Sequence, residues 1–278
     1  MIDWRHWHNE PYLVGGLVFL GWLYTVLAGP LRPRLAPGAS FPRTHATQFY
    51  SSLVIFYLAV GSPLDQIGER FLFVVHMLQH QLLIYPAAIL FLRGLPEWMV
   101  EPVLARPALR LPIRLITQPV IAGLLYTLII SLWHVPWAYD WALQNKTVHI
   151  IEHVMFFGAG LLYWWPLLSP SRTFPPIPYG SRMIYLFSVL IAMTPVFAYI
   201  TFSPEVLYPT YEYAPRLFPD FTAGEDQLAA GVSMKLVGLA VALAAFGVCF
   251  FRWSKSDAQG KAPIRLRPQG SRPSSSPT

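Results

Sequence analysis

The sequence predicts an all-α integral membrane bundle of seven transmembrane helices, N-terminus outside and C-terminus in the cytoplasm. Three observations carry this. Of 278 residues, 54% are hydrophobic and only 12% charged, with a mean hydropathy of +0.43, whereas soluble domains carry about 25% charged residues. Seven apolar stretches reach the length a helix needs to cross a bilayer. Lys and Arg are abundant in every second connection and scarce in the others, the pattern that orients membrane proteins.

The first stretch, 11–29, follows MIDWRHWHNE, which lacks a basic n-region. No small-residue cleavage site comes after it, so no cleaved signal peptide is expected. The second, 47–63, begins QFYSSLVIFYLAVG and carries the weakest apolar signal. The third (71–92), fourth (114–134) and sixth (183–203) contain Pro86, Pro119 and Pro195. Backbone groups in hydrocarbon must bond internally, so these stretches are helices, and packed neighbours let them tolerate a proline kink. The fifth is 148–168 and the seventh 228–251. No repeat of 20–50 residues is present. Residues 1–254 are thus one membrane domain. The basic, Pro/Ser-rich tail 255–278 has no apolar periodicity and is expected to be disordered. The single cysteine, Cys249, lies deep in the last helix, which excludes a thiol-pair metal carrier or a disulfide framework in this chain.

Orientation follows from the basic residues. Segments 30–46, 93–114 and 169–182 and the tail from Arg252 hold fifteen Lys and Arg. The alternate segments hold four: Arg5, Arg70, Lys146 and Arg216. The rich side is the cytoplasm. The net charge of +6 then belongs to loops beside anionic lipid, and it gives no sign of a nucleic-acid partner.

With that orientation the histidines can be placed in depth. The third helix runs inward through VVHMLQHQLL, putting His76 roughly 8 Å and His80 roughly 13 Å below its start. The fourth ends at SLWHVP, with His134 at the outer boundary. The fifth enters as TVHIIEHVMFF, with His149 and His153 in its first two turns. Residues i and i+4 share a helix face, so each pair presents two imidazoles to one side. Neutral imidazole is the commonest ligand of Zn and Cu, and ionisable groups inside a membrane usually face a bundle interior or a cavity. A single pair is equally expected to bond between helices or line a water pocket. Two pairs plus His134 at one depth favour a metal. Asp65, Glu69, Asp140, Glu152, Glu225 and Asp226 fall on the same side, able to attract cations and orient imidazoles.

Other signals in the sequence are weaker. HIIEH reads as an inverted zinc-protease motif with Glu152 as general base, but it lies in a lipid-embedded helix with no obvious substrate groove. His6 and His8 stand among Trp4 and Trp7 and suit an aromatic belt, with metal capture as the alternative. Met77, Met155 and Met234 offer thioethers to Cu(I), although methionine in such a helix usually packs.

The segments HMLQH (76–80), WHVPWAYDWAL (133–143), HIIEHVMFFGAGLLYWWPLL (149–168) and EDQLAAGVSM (225–234) together resemble the CtaG family. These are seven-helix membrane proteins linked to assembly of caa3-type cytochrome c oxidase. The resemblance runs from about Tyr50 to Trp253. It rests on His76, Gln79, His80, Trp133, His134, Pro136, Tyr139, Asp140, His149, Glu152, His153, Asp226 and Gln227. One departure is HQLLIYP, where HMLL and small residues are more usual, which removes a possible Met ligand. The resemblance implies a non-catalytic role in maturing a haem–copper oxidase, in a bacterial plasma membrane, with oxidase membrane subunits as partners. The ligands themselves point to copper, as Cu(I), held by a subset of His76, His80, His134, His149 and His153. Gln79, Asp140, Glu152 and Asp226 would support them, and a copper donor would meet the protein on the outer side. A membrane cytochrome with bis-histidine haem, a metal-free scaffold and a copper transporter are the rival readings.

Overall fold

The computed structural model describes Arg5 and residues 7–260, with side chains as far as Asp257. His6 and residues 261–278 of the predicted tail lie outside the described residues. Every regular element among the described residues is a helix. The main ones are α1 (Pro11–Ala28), α2 (Arg43–Gly61), α3 (Pro63–Arg70), α4 (Phe73–Gly94), α5 (Pro107–Thr117) and α6 (Pro119–Trp133). They continue with α7 (Pro136–Gln144), α8 (Lys146–Leu168), α9 (Tyr179–Ala192), α10 (Thr194–Phe202), α11 (Pro209–Glu212) and α12 (Ala223–Gly260). No glycine or proline interrupts the stretch after Trp253 until Gly260, and α12 runs unbroken through it.

Among the described residues, five helices are long and apolar enough to cross a membrane: α1, α4, α8, the α9–α10 pair and α12. The predicted fourth span is a bent pair. α5 and α6 meet at 67°, and together they make a sixth candidate. The bend has a plain cause. Pro119 lacks an N–H and forces the residue before it out of the helical region, and Gln118 sits at φ −60°, ψ 132°. The predicted second span forms a helix, α2, but Arg43, His45, Gln48 and two serines leave it below the same apolarity. The sixth span breaks at Met193, just before Pro195.

Burial is inverted relative to a soluble protein. Apolar side chains face outward, with Phe202 76%, Ile184 70% and Leu124 63% exposed, while His76, Gln79, Glu152 and Asp226 are fully buried. One apolar cluster gathers Leu83, Ile84, Tyr126, Phe156, Tyr163 and Trp164. A second, aromatic one gathers Phe73, Met77, Tyr139, Tyr208 and Tyr211. The histidines lie where the two meet, His80 stacked on Phe156 at 3.8 Å and His76 against Tyr139 at 5.2 Å between ring centres.

Two local features hold α4 against α8 there. Pro86 disturbs α4, which makes a π-helical turn over Leu83–Ala87, a common accommodation of a disrupted hydrogen-bond ladder. Carbonyls of that turn receive donors from both flanking helices. The Trp164 indole N–H donates to Ile84 at 3.0 Å and the Ser52 hydroxyl to Ala87 at 2.7 Å. Gly160 permits the approach, since a Cβ there would lie 2.8 Å from the Ile84 carbonyl oxygen. Gly160→Val should therefore push α8 off the turn and cost about 1–3 kcal/mol, the usual range for overpacking. A lowered thermal unfolding temperature in detergent is the measurement.

Candidate metal centre

α4 and α8 start at the same end of the bundle, and their histidine pairs face each other. Ring centres of His76 lie 5.4 Å from His149 and 5.9 Å from His153, and His80 lies 5.6 Å from His153. Potential ligand atoms of His76, His149 and His153 fall within 4.8 Å of one another, and so do those of His76, His80 and Glu152. Four of the five predicted histidines thus converge, with Glu152 among them.

Hydrogen bonds fix which nitrogen two of these rings, His149 and His76, turn inward. Glu69 accepts a bond from His149 Nδ1–H at 2.6 Å. In the neutral ring this leaves Nε2 without a proton, the carboxylate–histidine arrangement that orients a metal ligand. Tyr211 does the same for His76. Its hydroxyl donates to the Gly68 carbonyl at 2.7 Å, so His76 Nδ1, 3.0 Å away, must be the donor toward it. Tyr139 adds its own hydroxyl contact to Tyr211 at 2.9 Å. His76 Nε2 and His80 Nε2 then stand 2.9 Å apart, with room for one proton between them.

Several atoms here have no hydrogen-bond partner: His149 Nε2, His153 Nε2, His80 Nδ1 and both Glu152 oxygens. An unpaired buried polar group costs about 1–3 kcal/mol, more when charged. A cation among the imidazoles beside the Glu152 carboxylate would give such atoms a partner. The donor set fits a metal.

His134 is placed differently. It is buried, but its ring centre is 6.1 Å from His80, and its Nδ1–H donates to the Ile130 carbonyl at 2.7 Å. Nε2 of the neutral ring then faces the Met77 sulfur at 3.4 Å. Two lone-pair donors meet with no proton between them, which suits a soft cation.

The supporting residues divide. Glu152 lies within the centre itself, among the potential ligands rather than behind them. Gln79 does not touch the imidazoles; its amide donates to the Ala59 carbonyl and to Asp65 Oδ1, both at 2.8 Å. Asp226 accepts from the Phe73 and Val74 N–H groups at 2.7 and 2.9 Å. It caps α4 from a helix 153 residues away in sequence and so sets the depth of His76 and His80. Asp140 accepts from the Thr210 hydroxyl at 2.8 Å and holds the segment around α11. Tyr211, on the short helix α11, is a partner that the sequence reading does not name. Glu69 and Asp65 were expected on the right side without a stated partner. Asp65 accepts from His8 at 2.5 Å, and this bond raises the His8 pKa above its ordinary value; burial pushes the Asp65 carboxyl up.

A scan against protein families matches residues 22–256 to the cytochrome c oxidase caa3 assembly factors. Searches of curated proteins and of solved structures return no match. The matched region takes in both histidine pairs, His134, Glu152, Tyr211 and Asp226, and it spans most of the 278 residues. The chain therefore belongs to the Caa3_CtaG family of caa3-type cytochrome c oxidase assembly factors.

Proposed function

We propose that this assembly factor carries a copper ion, as Cu(I), among His76, His80, His149 and His153 and passes it to a membrane subunit of a haem–copper oxidase. The observation behind this is the set of inward, unpartnered imidazole nitrogens beside Glu152. Imidazole is a common copper ligand and the site offers no thiolate to hold the ion permanently. A partner's histidines can then replace these ligands one at a time. The Met77–His134 pair, bordering His80, offers a departing Cu(I) its next soft ligands. A bis-histidine haem is less well served, because Tyr139, Phe156 and the other imidazoles fill the flanks of each ring where a macrocycle would lie.

The reading includes seven passes, with α2 and the bent α5–α6 pair as spans, in a bacterial plasma membrane, N-terminus outside. The basic-residue asymmetry and the common starting end of α4 and α8 support it. Reporter fusions at Asp140 and Phe218 should read outside, and fusions at Gly38, Leu104 and the tail cytoplasmic. An inward reading at Asp140 would place the histidines at the wrong face for an outer copper donor.

The copper reading is tested on protein purified in detergent. The parent chain should retain about one copper per chain and show no Soret band, whereas His76→Ala should lose most of the metal. A Soret band lost with the same substitution would instead make the protein a cytochrome. Equal metal content in parent and variant would leave the histidines as packing residues.

A further inference from the structure

A second group of possible ligands lies apart from the buried centre. His8, Asp65 and Glu69 bring an imidazole nitrogen and two carboxylate oxygens within 4.8 Å of one another. Their exposure is graded: the side chain of Asp65 is 5% exposed, that of His8 18% and that of Glu69 22%. Two carboxylates this close repel each other unless a positive charge lies between them or one is neutralised. The group stands at a cavity of about 250 Å³ whose lining also includes His149 and His153. Both of those imidazoles are buried, and each has an Nε2 without a partner. One cavity is therefore lined both by the partly exposed N/O ligand group and by two imidazoles of the buried centre.

The backbone brings the three residues together by design of the fold. The His8 N–H donates to the Gly61 carbonyl at 2.9 Å, and Trp7 stacks on Tyr57 at 5.7 Å, which docks the N-terminal segment on the end of α2. Asp65 and Glu69 are four apart on α3 and so share one face. Gln79 holds Asp65 from α4, and His149 holds Glu69 from α8. Asp65 turns Oδ1 to Gln79 and Oδ2 to His8, and Glu69 turns Oε1 to His149.

From this arrangement we propose that His8, Asp65 and Glu69 form a second metal site, for a borderline divalent cation such as Zn(II). One imidazole and two carboxylates are a ligand set that such ions accept, with a fourth position left to water. The ion takes the place of the proton that His8 shares with Asp65 and attracts both carboxylates. It also ties the N-terminal segment to α3, and through the Glu69–His149 bond to α8, across the mouth of the cavity. The site is distinct from the buried centre and does not depend on copper being bound there.

Zinc titration of the purified full-length protein tests this, because Zn(II) involves no redox step. The His76→Ala/His153→Ala double variant, which lacks two of the four imidazoles of the buried centre, should still bind one Zn(II) with near-parental affinity. Adding His8→Ala or Glu69→Gln to it should weaken that binding about tenfold or more. His8 precedes the first helix, so its replacement leaves the helix packing intact, and an unchanged gel-filtration profile and circular dichroism check this for each variant. Zinc binding that survives His8→Ala and Glu69→Gln unchanged overturns the proposal. So does binding that disappears in the double variant alone, which would place the ion in the buried centre and leave His8–Asp65 an ion pair. Copper content of the parent chain reports on the buried centre separately, so the two readings can fail independently.

Discussion

Host membranes in which His153→Ala replaces the parent chain should contain the oxidase polypeptides but at most about a tenth of the oxidase activity. The substitution is chosen for what it leaves alone. Alanine is the best helix former, so α8 should insert as before. His153 Nε2 has no hydrogen-bond partner, and its removal strands no donor or acceptor on a neighbour. What disappears is one imidazole from the facing set of His76, His149 and His153. His80→Ala should act in the same direction with a larger cost in stability. It also gives up the 2.9 Å contact to His76 and the stack on Phe156, and a truncated buried side chain leaves a cavity. Excess copper in the medium should restore part of the activity in both, since mass action loads the client by an unassisted route. Activity and immunoblots of both variants, with and without added copper, make the comparison. Full oxidase activity with full metal content in His153→Ala would remove the copper reading and leave α8 a structural helix.

The parts of this site that were legible in the sequence are those governed by local periodicity. His76 and His80, and likewise His149 and His153, share a helix face because they are four apart, and no tertiary information is needed to see it. Their common depth follows from helix direction. His134 shows where such reasoning stops. It lies beside His80, but its ring turns toward Ile130 and Met77, because a residue at a helix C-cap no longer follows the helix's angular rule. The break between α5 and α6 was legible as a proline, not as a 67° bend, since the angle depends on what α5 packs against. Asp226 and Asp140 were expected as outer acidic groups beside a metal. One caps α4 and the other holds Thr210, and both pairings join segments at least 70 residues apart. Glu152 was expected behind the imidazoles and stands among them, a difference of helical phase that only the packing of α8 on α4 decides.

Tyr211→Phe is the second large effect expected, and it separates orientation from ligation. The Tyr211 oxygen is shared by three partners: it donates to the Gly68 carbonyl and receives the His76 Nδ1–H and the Tyr139 hydroxyl. It lies in the fully buried aromatic cluster, so no water is at hand to replace it. Phenylalanine keeps the ring contacts with Phe73 and Tyr139, so the packing survives while all three polar groups lose a partner. Without that acceptor the proton on His76 is no longer held at Nδ1. It can move to Nε2, the nitrogen that faces His80, and block the lone pair a metal needs. Losses of partners behind a metal ligand typically weaken binding about 10–100-fold, and that is the range expected for copper. Tyr139→Phe is the control: it removes one contact to Tyr211 and leaves the His76 bond in place, so its effect should be several times smaller. Copper affinity measured by competition with a calibrated chelator reads this directly. If Tyr211→Phe and Tyr139→Phe weaken copper equally, the hydroxyls act only through general polarity. If neither has an effect while His76→Ala does, His76 must bind through Nδ1, and the inward assignment of its Nε2 is wrong.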